Sequence, residues 1–84
     1  MIQEVTETNL SSNTWYCEKN INVAKSEYTP ICAGLNLSNA RFKIHRLRVQ
    51  GNDVMIGFSN PNSSGSIENT TAYLTVAYVK NNLM

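Results

Sequence analysis

Residues 41–60 read RFKIHRLRVQ-GN-DVMIGFSN, and this stretch decides the fold class. Val54, Ile56 and Phe58 share one parity, the pattern of a pleated strand with a buried face. Gly51-Asn52 is a two-residue connection of hairpin type between two apolar-patterned runs. In the incoming run the parity changes: Phe42 and Ile44 are even, Leu47 and Val49 odd. A single phase slip in an otherwise regular strand marks one extra residue, so a bulge is predicted near His45-Arg46. The stretch is an antiparallel hairpin.

Working outward, residues 60–70 (NPNSSGSIENT) form a long loop of turn-forming residues. The strand predicted over 71–80 is apolar on both faces, with Tyr73, Ala77 and Val79 on one side and Ala72, Leu74, Val76 and Tyr78 on the other. A strand apolar on both sides needs cover on both sides. One thin core does not readily cover two faces, so Leu74, Val76 and Tyr78 are expected to form a subunit interface. Upstream, Ile31, Ala33, Leu35 and Leu37 alternate along a strand in which Gly34 is expected to mark a bulge or a close backbone approach. Pro30 holds Thr29 extended after a loop over 25–30. Trp15, Cys17, Ile21 and Val23 share one face of a strand over 14–23, and the first ten residues give at best a short strand, Ile2 to Thr6. The whole reads as all-β: a small antiparallel β-sandwich, jelly-roll-like, of about six strands in one domain over 1–84.

Composition narrows the function classes. An 84-residue chain buries only about 60% of its unfolded surface, so folds of this size take support from disulfides, a metal or neighbouring subunits. Charged residues are only 15% and twelve Asn fill part of the gap, which suits turns and hydrogen-bonding surfaces better than helices. A net charge of +1 creates no general field for nucleic acid or anionic lipid. No apolar run approaches the roughly 20 residues that span a bilayer, and Met1-Ile2-Gln3-Glu4 lacks the basic start and apolar stretch of a signal peptide. Cys17 and Cys32 lie in apolar runs and read as reduced core thiols, a single disulfide being the alternative. With one histidine and no CxxC, neither a metal site nor a cofactor is expected.

Catalytic constellations are weak. His45 and Asp53 lie across one hairpin, but a triad also needs a nucleophile within reach. Among Glu4, Glu7, Glu18, Glu27, Asp53 and Glu68 no pair suits glycoside hydrolysis. No enzyme is expected. The basic run of Arg41, Lys43, His45, Arg46 and Arg48 reads either as a solvated edge-strand face or as a surface for an anionic glycan, with Arg46 and Arg48 supplying forked donors. Nucleic acid fits less well, because Trp15 and Tyr16 are not interleaved with this run and a stacking platform needs both. Tyr28, in a loop, is divided between sugar stacking and packing; Trp15, Tyr73 and Tyr78 are assigned to packing.

The segment INVAKSEYTPI (21–31), the following strand with Gly34 and Asn36, the turn Val49-Gln50-Gly51-Asn52 and the closing LTVAYVK (74–80) together resemble the C-terminal head domain of tail-fibre and receptor-binding proteins from phages and prophages of Gram-positive bacteria. The resemblance covers roughly residues 14–82. It implies a virion protein at the fibre tip, assembled as a homotrimer and recognising host-surface carbohydrate, without membrane insertion. The loops of such proteins vary, so no binding residue carries over by position; residues 24–28 and 60–70, with Tyr28, Arg46 and Arg48, are the expected contacts. Such proteins carry a long N-terminal shaft, so this chain is expected to be an excised head or a small separate product. The competing expectation is a purely structural trimerisation or capping module that binds no ligand.

Overall fold

Alternating apolar and polar side chains, broken by Asn, Ser, Gly and Pro, fold into six strands and no helix among the described residues. The computed structural model describes residues 2–39, 41–61 and 66–81. The strands are β1 (Ile2–Ser12), β2 (Tyr16–Asn22), β3 (Tyr28–Leu37), β4 (Lys43–Gln50), β5 (Asp53–Ser59) and β6 (Ile67–Lys80). They form two three-stranded sheets in the orders β1-β6-β3 and β2-β5-β4, and every pairing is antiparallel. The antiparallel β-sandwich expected from the sequence is the fold. Its Cα extents are 52 × 18 × 16 Å, so the two ends of the sandwich are well separated.

The core lies between the central strands. Val54, Ile56 and Phe58 of β5 face inward with no exposed surface, against Ala72, Leu74, Val76 and Tyr78 of β6. The hairpin predicted at Gly51-Asn52 joins β4 to β5, with Gly51 at φ 62°, a left-handed value that glycine adopts without a Cβ penalty. The bulge predicted beside it is also present: the β4–β5 register slips between Ile44 and Arg46, leaving His45 as the extra residue.

Four expectations are corrected. First, Leu74, Val76 and Tyr78 are not a subunit interface. They are buried within the single chain, and the Tyr78 hydroxyl donates to the Val23 carbonyl at 2.7 Å. Burial pushes the Tyr78 phenol above its usual pKa. The even residues of β6 are the set that must fill the space against β5. The odd set, Tyr73, Thr75, Ala77 and Val79, lies on the outer face of its sheet. Second, the irregularity in β3 falls at Ile31, between Pro30 and Cys32, and not at Gly34. Proline has no ladder donor and is accommodated on an edge strand beside a bulge. That slip turns Ile31 and Cys32 outward, so of the two free thiols only Cys17 is a core residue; its desolvation raises the thiol pKa. Third, β1 runs to Ser12 because β6 begins at Ile67 and offers it a partner along nearly its whole length. Fourth, Trp15 precedes β2 and is 48% exposed, whereas Cys17, Ile21 and Val23 are buried as their parity requires.

Candidate functional site

The outer face of the β2-β5-β4 sheet carries a strip of side chains fixed to one another. Tyr16, Glu18 and Asn20 of β2 lie opposite Ser59, Gly57 and Met55 of β5, which in turn face Lys43, Arg46 and Arg48 of β4. The His45 bulge adds a fourth side chain on β4, and its Nε2 lies 2.7 Å from the Ser59 Oγ. Tyr16 donates its hydroxyl hydrogen to the Glu18 Oε2 at 2.9 Å, and the same oxygen meets the Arg46 Nη1 at 3.8 Å. The hydrogen bond to Glu18 holds the Tyr16 phenol above its ordinary pKa. Three rings follow in sequence: Trp15 to Tyr16 at 5.7 Å between centroids and Tyr16 to His45 at 5.9 Å, both tilted.

Gly57 is the floor of this strip. A Cβ there would lie 2.6 Å from the Tyr16 hydroxyl, 3.3 Å from the Arg46 Cβ and 3.4 Å from the Glu18 Cγ. The absence of a side chain lets Tyr16 lie across the central strand. Gly57→Ala is therefore expected to cost about 1–3 kcal/mol, as overpacking does, and to break the Tyr16–Glu18 bond. Adding Tyr16→Phe removes the clashing oxygen, so the same Gly57→Ala change should cost less in that background. Urea unfolding of the four proteins measures the coupling, and equal costs in both backgrounds would disprove the contact.

The residues singled out from sequence divide between the two ends and sheets. Arg46 belongs to the strip. Arg48 is one row further along β4, opposite Met55, and outside the bonded network. Tyr28 is at the other end of the sandwich, paired with Lys80; it packs edge-on against Tyr78 at 6.5 Å and beneath the Lys25 ammonium at 5.5 Å. Lys25 also meets Glu4 at 2.9 Å, a bond that raises the Lys25 pKa. Tyr28 thus takes the packing role, and the three residues form no common site. Trp15, assigned to packing, is instead an exposed ring at the end of the strip. The sequence held a signal for this: Trp15 follows the polar run Ser11-Ser12-Asn13-Thr14, at a strand entrance rather than within a strand.

At the Trp15 end, the Asn60 N–H donates to the Trp15 carbonyl at 2.8 Å. On its other side Asn60 borders a cleft of about 330 Å³ between the β3–β4 connection and the start of β6. Phe42, stacked on Phe58 at 5.9 Å, is its apolar wall, and Arg41 and Glu68 stand at its rim. The segment over 60–70 expected to bind ligand contributes Asn60, Ser66, Glu68, Asn69 and Thr70 here; residues 62–65 lie outside the described residues.

For chemistry, the close pair is His45 and Ser59, not His45 and Asp53; Asp53 instead accepts from the Asn22 amide at 3.2 Å. Ser59 is only 4% exposed, and no described carboxylate bonds to the His45 ring, so the pair lacks both an open approach to its hydroxyl and a group to orient its base. Among the described residues there is no cluster of three metal-ligating side chains. The arrangement suits binding: aromatic rings, one carboxylate, one guanidinium and one imidazole lie side by side on an exposed face.

No family model, curated protein or solved structure matches the chain.

Proposed function

We propose that the chain is a glycan-recognition module that binds a sugar on the strip formed by Trp15, Tyr16, His45, Glu18 and Arg46. The observation that carries this reading is the exposed Trp15 ring beside a bonded polar set. An indole half open to water forgoes burial worth up to a few kcal/mol, and the neighbouring Tyr16, Glu18 and Arg46 already contact one another. Aromatic rings cover the C–H face of a pyranose, while a carboxylate accepts from hydroxyls and a guanidinium donates to them. The resemblance to phage receptor-binding heads supports the same class of ligand, a host-surface carbohydrate, and a place at a fibre tip.

Trp15 is the single tryptophan, so its fluorescence reports the strip directly. Titration of the isolated chain with the hits from a glycan array is expected to shift the emission saturably. An array without hits and an unchanged emission spectrum would refute the reading.

A second reading, self-association without ligand, is favoured by the outer face of the β1-β6-β3 sheet. Glu7 is the one charge among the outward residues Gln3, Val5, Glu7 and Asn9 of β1, Tyr73, Thr75, Ala77 and Val79 of β6 and Cys32, Gly34 and Asn36 of β3, and Val5 is 63% exposed. Exposed Val5 and Tyr73 on a face with a single charge give a second copy apolar side chains to cover. The homotrimer implied by the resemblance would use this face in place of Leu74, Val76 and Tyr78. Light scattering that gives a multiple of 9.4 kDa, together with no glycan response, would select this reading over the first.

A further inference from the structure

We infer that the cleft beside Asn60 is a second sugar subsite, so that the ligand of this chain is an oligosaccharide and not a single terminal sugar. The inference rests on the glycan reading of the Trp15 strip and extends it to a different set of residues.

The two places are joined by one residue. Asn60 is bonded through its N–H to the carbonyl of Trp15 and also borders the cleft. The backbone bond at Asn60 thus places the Trp15 end of the strip next to a residue that lines the cleft, so a linear ligand long enough to extend past Asn60 can engage both. The cleft has the two kinds of surface that a pyranose presents in reverse. Phe42 offers an aromatic wall, held by its stack on Phe58, and Arg41 and Glu68 offer an ionic donor and an ionic acceptor. Neither forms an ion pair with a described residue.

The backbone around the cleft is itself tied down by short polar side chains. Asn39 accepts from the Arg41 N–H at 3.0 Å, Ser38 accepts from the Thr71 N–H at 3.0 Å, and Thr70 donates to the Glu68 carbonyl at 2.9 Å. These bonds use the turn-forming side chains to order the rim, leaving Arg41 and Glu68 for a ligand. An alternative use of the cleft, a lone anion on Arg41, is disfavoured by Glu68 beside it, since like charges across a small site repel.

The test uses an array and calorimetry on the intact chain, with each sugar presented as monosaccharide, disaccharide and tetrasaccharide. The parent is expected to bind the tetrasaccharide about tenfold or more tightly than the monosaccharide. Arg41→Gln and Glu68→Gln, both at exposed positions, are expected to lower the tetrasaccharide affinity by about tenfold each, the usual size of a charge-assisted bond, and to leave the monosaccharide affinity unchanged. Equal affinity at every length, or variants that bind the tetrasaccharide as the parent does, would overturn the second subsite while leaving the Trp15 strip intact. Absence of binding at every length by the parent would overturn both. Melting curves of the two variants, expected to match the parent, separate a lost contact from a lost fold.

Discussion

Phe58→Ala is expected to lower the melting temperature by roughly 15–30 °C, and at 37 °C to leave a large part of the chain unfolded. A domain of this length has a total stability of roughly 4–13 kcal/mol, and a buried Phe→Ala change costs about 3–5 kcal/mol. Phe58 is the largest side chain with no exposed surface, and it lies on the central strand of its sheet. Its removal also strips Phe42 of its stacking partner, so relaxation of the cavity has to draw in the wall of the cleft. In a chain with so few core side chains no second layer takes up the loss. Differential scanning calorimetry gives the shift directly. Val5→Ala, at an exposed position on the outer face, serves as the control and should stay within about 0.5 kcal/mol of the parent. A Phe58→Ala protein that melts within about 5 °C of the parent would show that the two sheets are not held together through this side chain.

The fold was legible where the pattern had one solution. Residues 41–60 carry a period of two, a two-residue turn and a single slip, and each maps to a backbone feature: β5, the Gly51 turn and the His45 bulge. The pattern of 71–80 has two solutions, because both parities are apolar, and periodicity does not say which set meets β5. Packing decides it. The even set has Leu74, Val76 and Tyr78, whose volume fills a core, while the odd set has Thr75 and Ala77, which lie flat on an outer face. The same ambiguity hid the length of β1, whose residues Gln3 to Thr8 alternate weakly and become a strand only because β6 supplies the hydrogen-bonding edge.

The candidate site was less legible because it is assembled across strands. Arg46 was visible as a cation on β4, but its neighbours come from β2 and β5, and only register brings Glu18 and Gly57 beside it. The glycine is the clearest instance. In sequence Gly57 is a gap in an apolar strand; in the sheet it is the space that Tyr16 occupies. Tyr28 failed for the opposite reason: a tyrosine in a loop looks available until Tyr78 and Lys25 close over it.

Trp15→Ala is expected to weaken glycan binding by about 30-fold or more while changing stability by only about 1 kcal/mol, and the separation of these two effects is what distinguishes a binding residue from a packing residue. The binding figure corresponds to the 2 kcal/mol or more that an anchoring aromatic carries at a recognition surface. The stability figure follows from exposure: roughly half of the indole is already in water, its one aromatic contact among the described residues is Tyr16 at 5.7 Å, and the Asn60 bond is made by the Trp15 backbone carbonyl, which alanine retains. The variant contains no tryptophan, so calorimetry or retention on immobilised ligand must replace fluorescence. Trp15→Phe should recover part of the loss, since a smaller ring still covers one face of a sugar. Arg48→Ala, one row away from the bonded strip, should bind within about twofold of the parent, the range of a solvated surface charge. Unaltered binding by Trp15→Ala would remove the strip from consideration. A variant that loses binding and stability in the same proportion would return Trp15 to the packing role that its shared parity with Cys17, Ile21 and Val23 suggested.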